Sequence, residues 1–108
     1  MIAVLLVDDS RLVRTVLREI LEADPEIRVV GEADNGLEGV EKCVSLAPDV
    51  VLMDVQMPVM DGLEAVERIM RERPTPVIVL SATVNPGEVG SAFRAVRAGA
   101  FEALPKPE

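Results

Sequence analysis

The sequence predicts an α/β protein built on a doubly wound, five-stranded parallel sheet. Three observations carry this. Short apolar runs of strand length alternate with longer amphipathic stretches, the runs are apolar throughout rather than on alternate residues, and capping residues or prolines mark the changeovers. A chain of 108 residues suits one domain, and a hydrophobic content of 49% supplies its core. That core is aliphatic, because Phe93 and Phe101 are the only aromatic residues.

The strand-like runs are Ile2–Val7, Ile27–Val30, Val50–Met53, Val77–Leu80 and a weaker one at Ala100–Leu104. Between the first two, Leu12, Val13, Val16, Leu17, Ile20 and Leu21 recur with the helical period. A second helix carries Leu37, Val40, Val44 and Ala47, a third Leu63, Val66, Ile69 and Met70, and a fourth Val89, Ala92, Phe93 and Val96. Asn35-x-x-Glu38 and Asp61-x-x-Glu64 read as capping boxes. Asn85-Pro86 supplies an N-cap followed by proline at the first helical position. Asp24-Pro25, Ala47-Pro48 and Arg73-Pro74 end the preceding helices, since a residue before proline disfavours the α region, and Gly99 is a candidate C-cap. There is no internal repeat, low-complexity tract or linker.

Charge and composition narrow the function. A formal net charge of -8 speaks against nucleic acid or an anionic membrane as a direct partner of this segment. Cys43, the single cysteine, sits at helical spacing among Val40, Val44 and Ala47, which reads as a small buried hydrophobe rather than a reactive thiol. The apolar start is too short for a membrane span and lacks the features of a signal peptide, so a cytoplasmic location is expected.

In an open parallel sheet, functional groups gather beyond the carboxyl ends of the strands. Asp8, Asp9 and Ser10 follow the first run, Asp54 the third, Ser81 the fourth and Lys106 the fifth. The second run is followed by Glu32 and Ala33, with no comparable group. A sheet order of 2-1-3-4-5 makes the four strands bearing these groups neighbours and puts the silent one at the edge. Three carboxylates brought together repel one another, and a hard divalent cation such as Mg²⁺ relieves the repulsion. With that cation, an anionic Asp can attack an anionic phosphorus centre, and Lys106 and the Ser81 hydroxyl are the right types to meet the transferring oxygens. Taken singly, Asp9 or Ser10 reads as a helix cap, Ser81 as a turn residue and Lys106 as a solvated one. Their joint placement at four strand ends outweighs those readings. No G-x-x-x-x-G-K-[ST], G-x-G-x-x-G or G-x-S-x-G is present. Histidine is absent, which removes His-based acid–base catalysis and a phosphohistidine from this segment, so the phosphoryl donor must come from another molecule or domain.

Four segments in order, V-D-D-S at 7–10, D-V-Q-M-P-V-M-D-G at 54–62, L-S-A at 80–82 and P-K-P at 105–107, resemble the receiver domain of two-component response regulators. The resemblance implies a flavodoxin-like receiver fold and phosphorylation of Asp54 by a sensor histidine kinase. It further implies Mg²⁺ held by the Asp9 and Asp54 side chains and the Gln56 backbone carbonyl, with Asp8 acting through water. Ser81 becomes the switch hydroxyl, Lys106 the phosphate-contacting lysine, and Pro58 and Gly62 shape the loop after the third strand.

T-P-V-I-V-L-S-A at 75–82 and A-G-A-F-E-A-L-P-K-P at 98–107 are similar to the receiver of the CheB-type chemotaxis protein-glutamate methylesterases. In that family the receiver regulates a C-terminal esterase, none of whose residues lies in these 108 positions. The alternatives are the receiver of a DNA-binding transcriptional regulator and a Mg²⁺-dependent aspartyl-phosphate phosphatase. The phosphatases usually carry D-x-D, which this chain lacks. Two features depart from the receiver pattern. Ala103 stands three residues before the lysine, where many receivers carry a switch aromatic, and the fifth helix is missing. Residues 1–108 are therefore expected to be a receiver cut short before its last helix. The apolar positions of the first helix spread over roughly 180°, wider than a one-sided stripe, so one margin is expected to be exposed.

Overall fold

A computed structural model of the chain describes residues 1–80 together with the backbone of 81 and 102–105. The elements are β1 (Ile2–Val7), α1 (Arg11–Glu22), β2 (Ile27–Ala33), α2 (Gly36–Leu46), β3 (Val50–Asp54), α3 (Gly62–Glu72), β4 (Val77–Ser81) and β5 (Glu102–Pro105). All pairings are parallel, and the strand order is β2-β1-β3-β4-β5, as expected. The expected fourth helix, its Asn85-Pro86 start and the Gly99 cap lie outside the described residues.

Alternation along the strands explains why the runs are apolar on both faces. Leu5 and Val7 of β1 join Val51, Met53, Val77 and Val79 in a cluster closed by Val40 and Cys43 of α2 and by Ala65, Val66 and Ile69 of α3. Val4 and Leu6 point the other way and pack with Val29, Leu80 and Leu17 of α1. Cys43 is fully buried, and its thiol donates to Thr75 Oγ1 at 3.4 Å, which matches its reading as a core residue.

The helix starts follow the sequence. Ser10 caps α1 by accepting from Val13 N, Asn35 caps α2 by accepting from Glu38 N, and Asp61 caps α3 by accepting from Glu64 N. Each replaces one of the backbone acceptors that a first turn lacks. At the end of α2, Ala47 takes the left-handed conformation, φ 49°, rather than the extended one expected before proline. Its N–H still reaches Cys43 O, so the cap bond is kept through this turn.

Two boundaries differ usefully. β3 and β4 each run one residue further than the apolar runs, so Asp54 and Ser81 close their strands rather than follow them. β2 continues through Gly31 and Glu32 to Ala33. Its register against β1 shifts between Val4 and Leu5, which pair with Val29 and Gly31, so Val30 is the extra residue of a bulge. Glu32 is tolerated in the strand because Arg14 and Arg18 of α1 neutralise it.

On α1, Leu17 is buried, whereas Leu12 is 73% and Ile20 56% exposed. The six apolar positions are thus not all covered, and the exposed margin runs along one side of the helix.

Candidate functional site

The site is assembled at the carboxyl ends of β1 and β3, which pair directly with Val7 opposite Met53. The residues that follow, Asp8 on one strand and Asp54 on the other, are therefore neighbours by register. Asp9 joins them from the start of the β1–α1 turn. One carboxylate oxygen from each of Asp8, Asp9 and Asp54 lies within 4.8 Å of those from the other two. Asp8 and Asp54 are only 1% and 5% exposed, while Asp9 is open to solvent. At such spacing each ionised pair repels by ~1 to ~4 kcal/mol, depending on screening. The donor set is all hard oxygen, with one open side, and so fits an oxygen-loving divalent cation that keeps some of its water.

The β1–α1 turn is held from several directions. Asp8 N donates to Ala33 O at 3.0 Å, and Asp8 Oδ1 accepts from Ser10 N at 2.8 Å. Ser10 in turn caps α1. Arg14, one turn along the helix, reaches back and donates through Nη1 to the Asp8 carbonyl at 2.5 Å. Its Nε donates to Glu32 Oε1 at 2.9 Å, and Arg18 takes the other Glu32 oxygen with Nε and Nη2. Burial pushes the Glu32 carboxyl up, but the hydrogen bonds from Arg18 and Arg14, with their charges, outweigh it and hold the carboxyl below its ordinary value.

The loop after β3 packs closely beneath Asp54. Gly62 opens α3 with its N–H donating to Val55 O at 2.8 Å, and Gly36 N donates to Met60 O at 2.9 Å, tying this loop to α2. Val59 holds φ at 68°, a left-handed conformation that a β-branched residue adopts only under constraint.

Of the residues singled out from sequence, the structure brings Asp8, Asp9 and Asp54 together. Gln56 lies exposed in the loop two residues past Asp54. Ser81 ends β4, with its backbone in register with Pro105 of β5. Lys106, the next residue, lies outside the described residues. Arg14 and Glu32 escaped the sequence reading. Arg14 and Arg18 stand at i and i+4 on a helix that packs on β2, and that spacing beside a strand-borne acid was the available signal.

A doubly wound sheet with an acidic triad at the ends of β1 and β3 is an arrangement suited to metal-assisted phosphoryl transfer. Residues 4–108 match the response regulator receiver domain, and the chain belongs to that family. Its function is that of a phosphorelay receiver in two-component signalling. It is 52% identical over 107 residues to the protein-glutamate methylesterase/protein-glutamine glutaminase 2 of Carboxydothermus hydrogenoformans, covering 99% of this chain and 30% of that protein. The response regulator domain of Thermotoga maritima CheB superposes with a TM-score of 0.91 at 44% identity, covering 100% of this chain and 80% of that one. The CheX–CheY–BeF3–Mg complex of Borrelia burgdorferi gives 0.87 at 28% identity, covering 99% and 79%. The chain spans about a third of the length of the curated relatives it matches. Among the described residues no helix is long and apolar enough to cross a membrane.

Proposed function

We propose that Asp54 accepts the phosphoryl group, with Mg²⁺ held by the Asp9 and Asp54 side chains and the Gln56 carbonyl, and Asp8 engaged through water. The observation that carries this is the convergence of three carboxylates within 4.8 Å, two of them buried, at adjacent strand ends. When bound, the cation supplies charge neutralisation, so that the Asp54 carboxylate can approach an anionic phosphoryl group. An Asp54 oxygen then forms a bond to phosphorus as the bond to the donor nitrogen breaks and the imidazole departs. Lys106 and the Ser81 hydroxyl are assigned to the phosphoryl oxygens, Lys106 as a fixed positive charge and Ser81 as a hydroxyl donor. The donor is a histidine kinase, in keeping with the receiver family to which the chain belongs.

The effector is proposed to be a methylesterase domain following this receiver in a longer cytoplasmic protein. The support is that several relatives of about 50% identity are chemotaxis methylesterases roughly three times as long. The receiver of a DNA-binding regulator and a small-molecule phosphatase have weaker support on the same ground. Incubation with acetyl phosphate and Mg²⁺, followed by mass spectrometry, tests the site: an adduct of one phosphoryl group should map to Asp54. Full labelling of Asp54→Asn would refute the assignment.

A further inference from the structure

We propose that Arg14 is a positioning residue for the cation site, acting by fixing the peptide unit between Asp8 and Asp9. This rests on the reading of Asp8, Asp9 and Asp54 as a divalent-cation site.

Asp8 is held firmly: its N–H is bound to Ala33 O and its side chain to Ser10 N. Asp9 is different. It is exposed, and among the described residues its carboxylate has no hydrogen-bond or ion-pair partner, so among these residues its own backbone is what sets its direction. Repulsion from Asp8 and Asp54 drives it outward. The peptide joining Asp8 to Asp9 is planar, so a donor fixed on the Asp8 carbonyl also fixes the direction in which the chain enters Asp9. Arg14 Nη1 is that donor, at 2.5 Å. The guanidinium is itself anchored by Glu32 at 2.9 Å and is largely buried, its side chain 14% exposed. Its planar fork can serve both acceptors from one orientation, which a lysine ammonium at the end of a flexible stem does less well. Glu32 thus links the edge strand β2, through Arg14, to the turn that carries the cation ligands.

Charge and geometry make opposite forecasts, which separates this role from a general one. Removing a cation near an acidic cluster should tighten Mg²⁺ binding, since the carboxylates lose a competing positive charge. Removing a positioning group should weaken it. Arg18 supplies the control, because it shares Glu32 with Arg14 but its side chain reaches Glu32 and Glu22 rather than Asp8.

The experiment is a Mg²⁺ titration of the protein by isothermal calorimetry, with thermal unfolding recorded beside it. The variants are Arg14→Met, which keeps the aliphatic stem, Arg14→Lys and Arg18→Met. The expected result is ~10-fold weaker Mg²⁺ binding in Arg14→Met, partial recovery in Arg14→Lys, and Arg18→Met equal to or tighter than the wild type. Arg14→Met binding as tightly as the wild type overturns the proposal, as does an equal loss in Arg18→Met. A wild-type protein that binds no Mg²⁺ removes the cation-site reading as well, so the two failures are distinguishable.

Discussion

The first residue of α3, Gly62, stands so close to Asp54 that a Cβ on it would lie 2.0 Å from the Asp54 carbonyl oxygen and 3.0 Å from the Asp54 carbonyl carbon. The obstacle is backbone, which cannot turn aside as a side chain can. Glycine here lets the β3–α3 loop fold back under the acidic residue and bring Asp61 into position to cap the helix.

Gly62→Ala should therefore displace the strand end that carries Asp54. The expected loss of stability is ~1–3 kcal/mol, with slower labelling of Asp54 by acetyl phosphate. Gly31→Ala provides the contrast, because its Cβ would meet Leu46 Cδ1 at 2.7 Å, the tip of a flexible side chain. Urea denaturation of both variants checks the ranking. Equal costs at the two positions would contradict the account.

Most of this architecture was legible because the runs Ile2–Val7, Val50–Met53 and Val77–Leu80 are apolar on both faces and largely buried, and such strands advertise themselves in composition. The convergence of Asp8, Asp9 and Asp54 was legible for the same reason, since a parallel sheet delivers whatever follows its strands to one end. β2 was cut short at Val30 because Gly31 and Glu32 look like an exit from a strand. Only tertiary structure reverses that reading: Gly31 lies under Leu46 and Leu5, and Glu32 meets two arginines from α1. The Arg14 link was hidden likewise, since a bond spanning 18 residues depends on how α1 packs over β2. Ala47 took the left-handed turn although proline follows, a choice that local preference opposes and the cap bond to Cys43 O supports.

Val59 offers a prediction of opposite sign. Its φ of 68° strains a β-branched residue, and its side chain is 77% exposed, so little packing is lost on removing it. Left-handed strain costs ~1–2 kcal/mol in an L-residue, while a new glycine gains unfolded-state freedom worth ~0.4–1 kcal/mol. Val59→Gly should raise stability by the difference, up to ~1.5 kcal/mol, without altering Asp54 labelling. A lower urea midpoint in this variant would rule out the strain.

Glu32 makes the stability of the fold depend on pH in a defined direction. Its carboxyl titrates below the ordinary 4.5 in the folded chain, because the Arg18 and Arg14 hydrogen bonds and charges outweigh the opposing effect of burial. A depressed folded value means that the unfolded chain takes up the proton first as pH falls. The stabilisation is therefore fully present above 4.5 and is lost as pH drops through the lower folded value. With both Glu32 and Arg18 about a third exposed, solvent screening limits the effect to ~1 kcal/mol. Other carboxylates titrate in the same window, so the measurement must be a difference. Urea unfolding of the wild type and Glu32→Gln should show a gap of ~1 kcal/mol at pH 7 that closes towards pH 3. A gap that stays constant with pH would mean that Glu32 supports the fold by packing rather than by its charge.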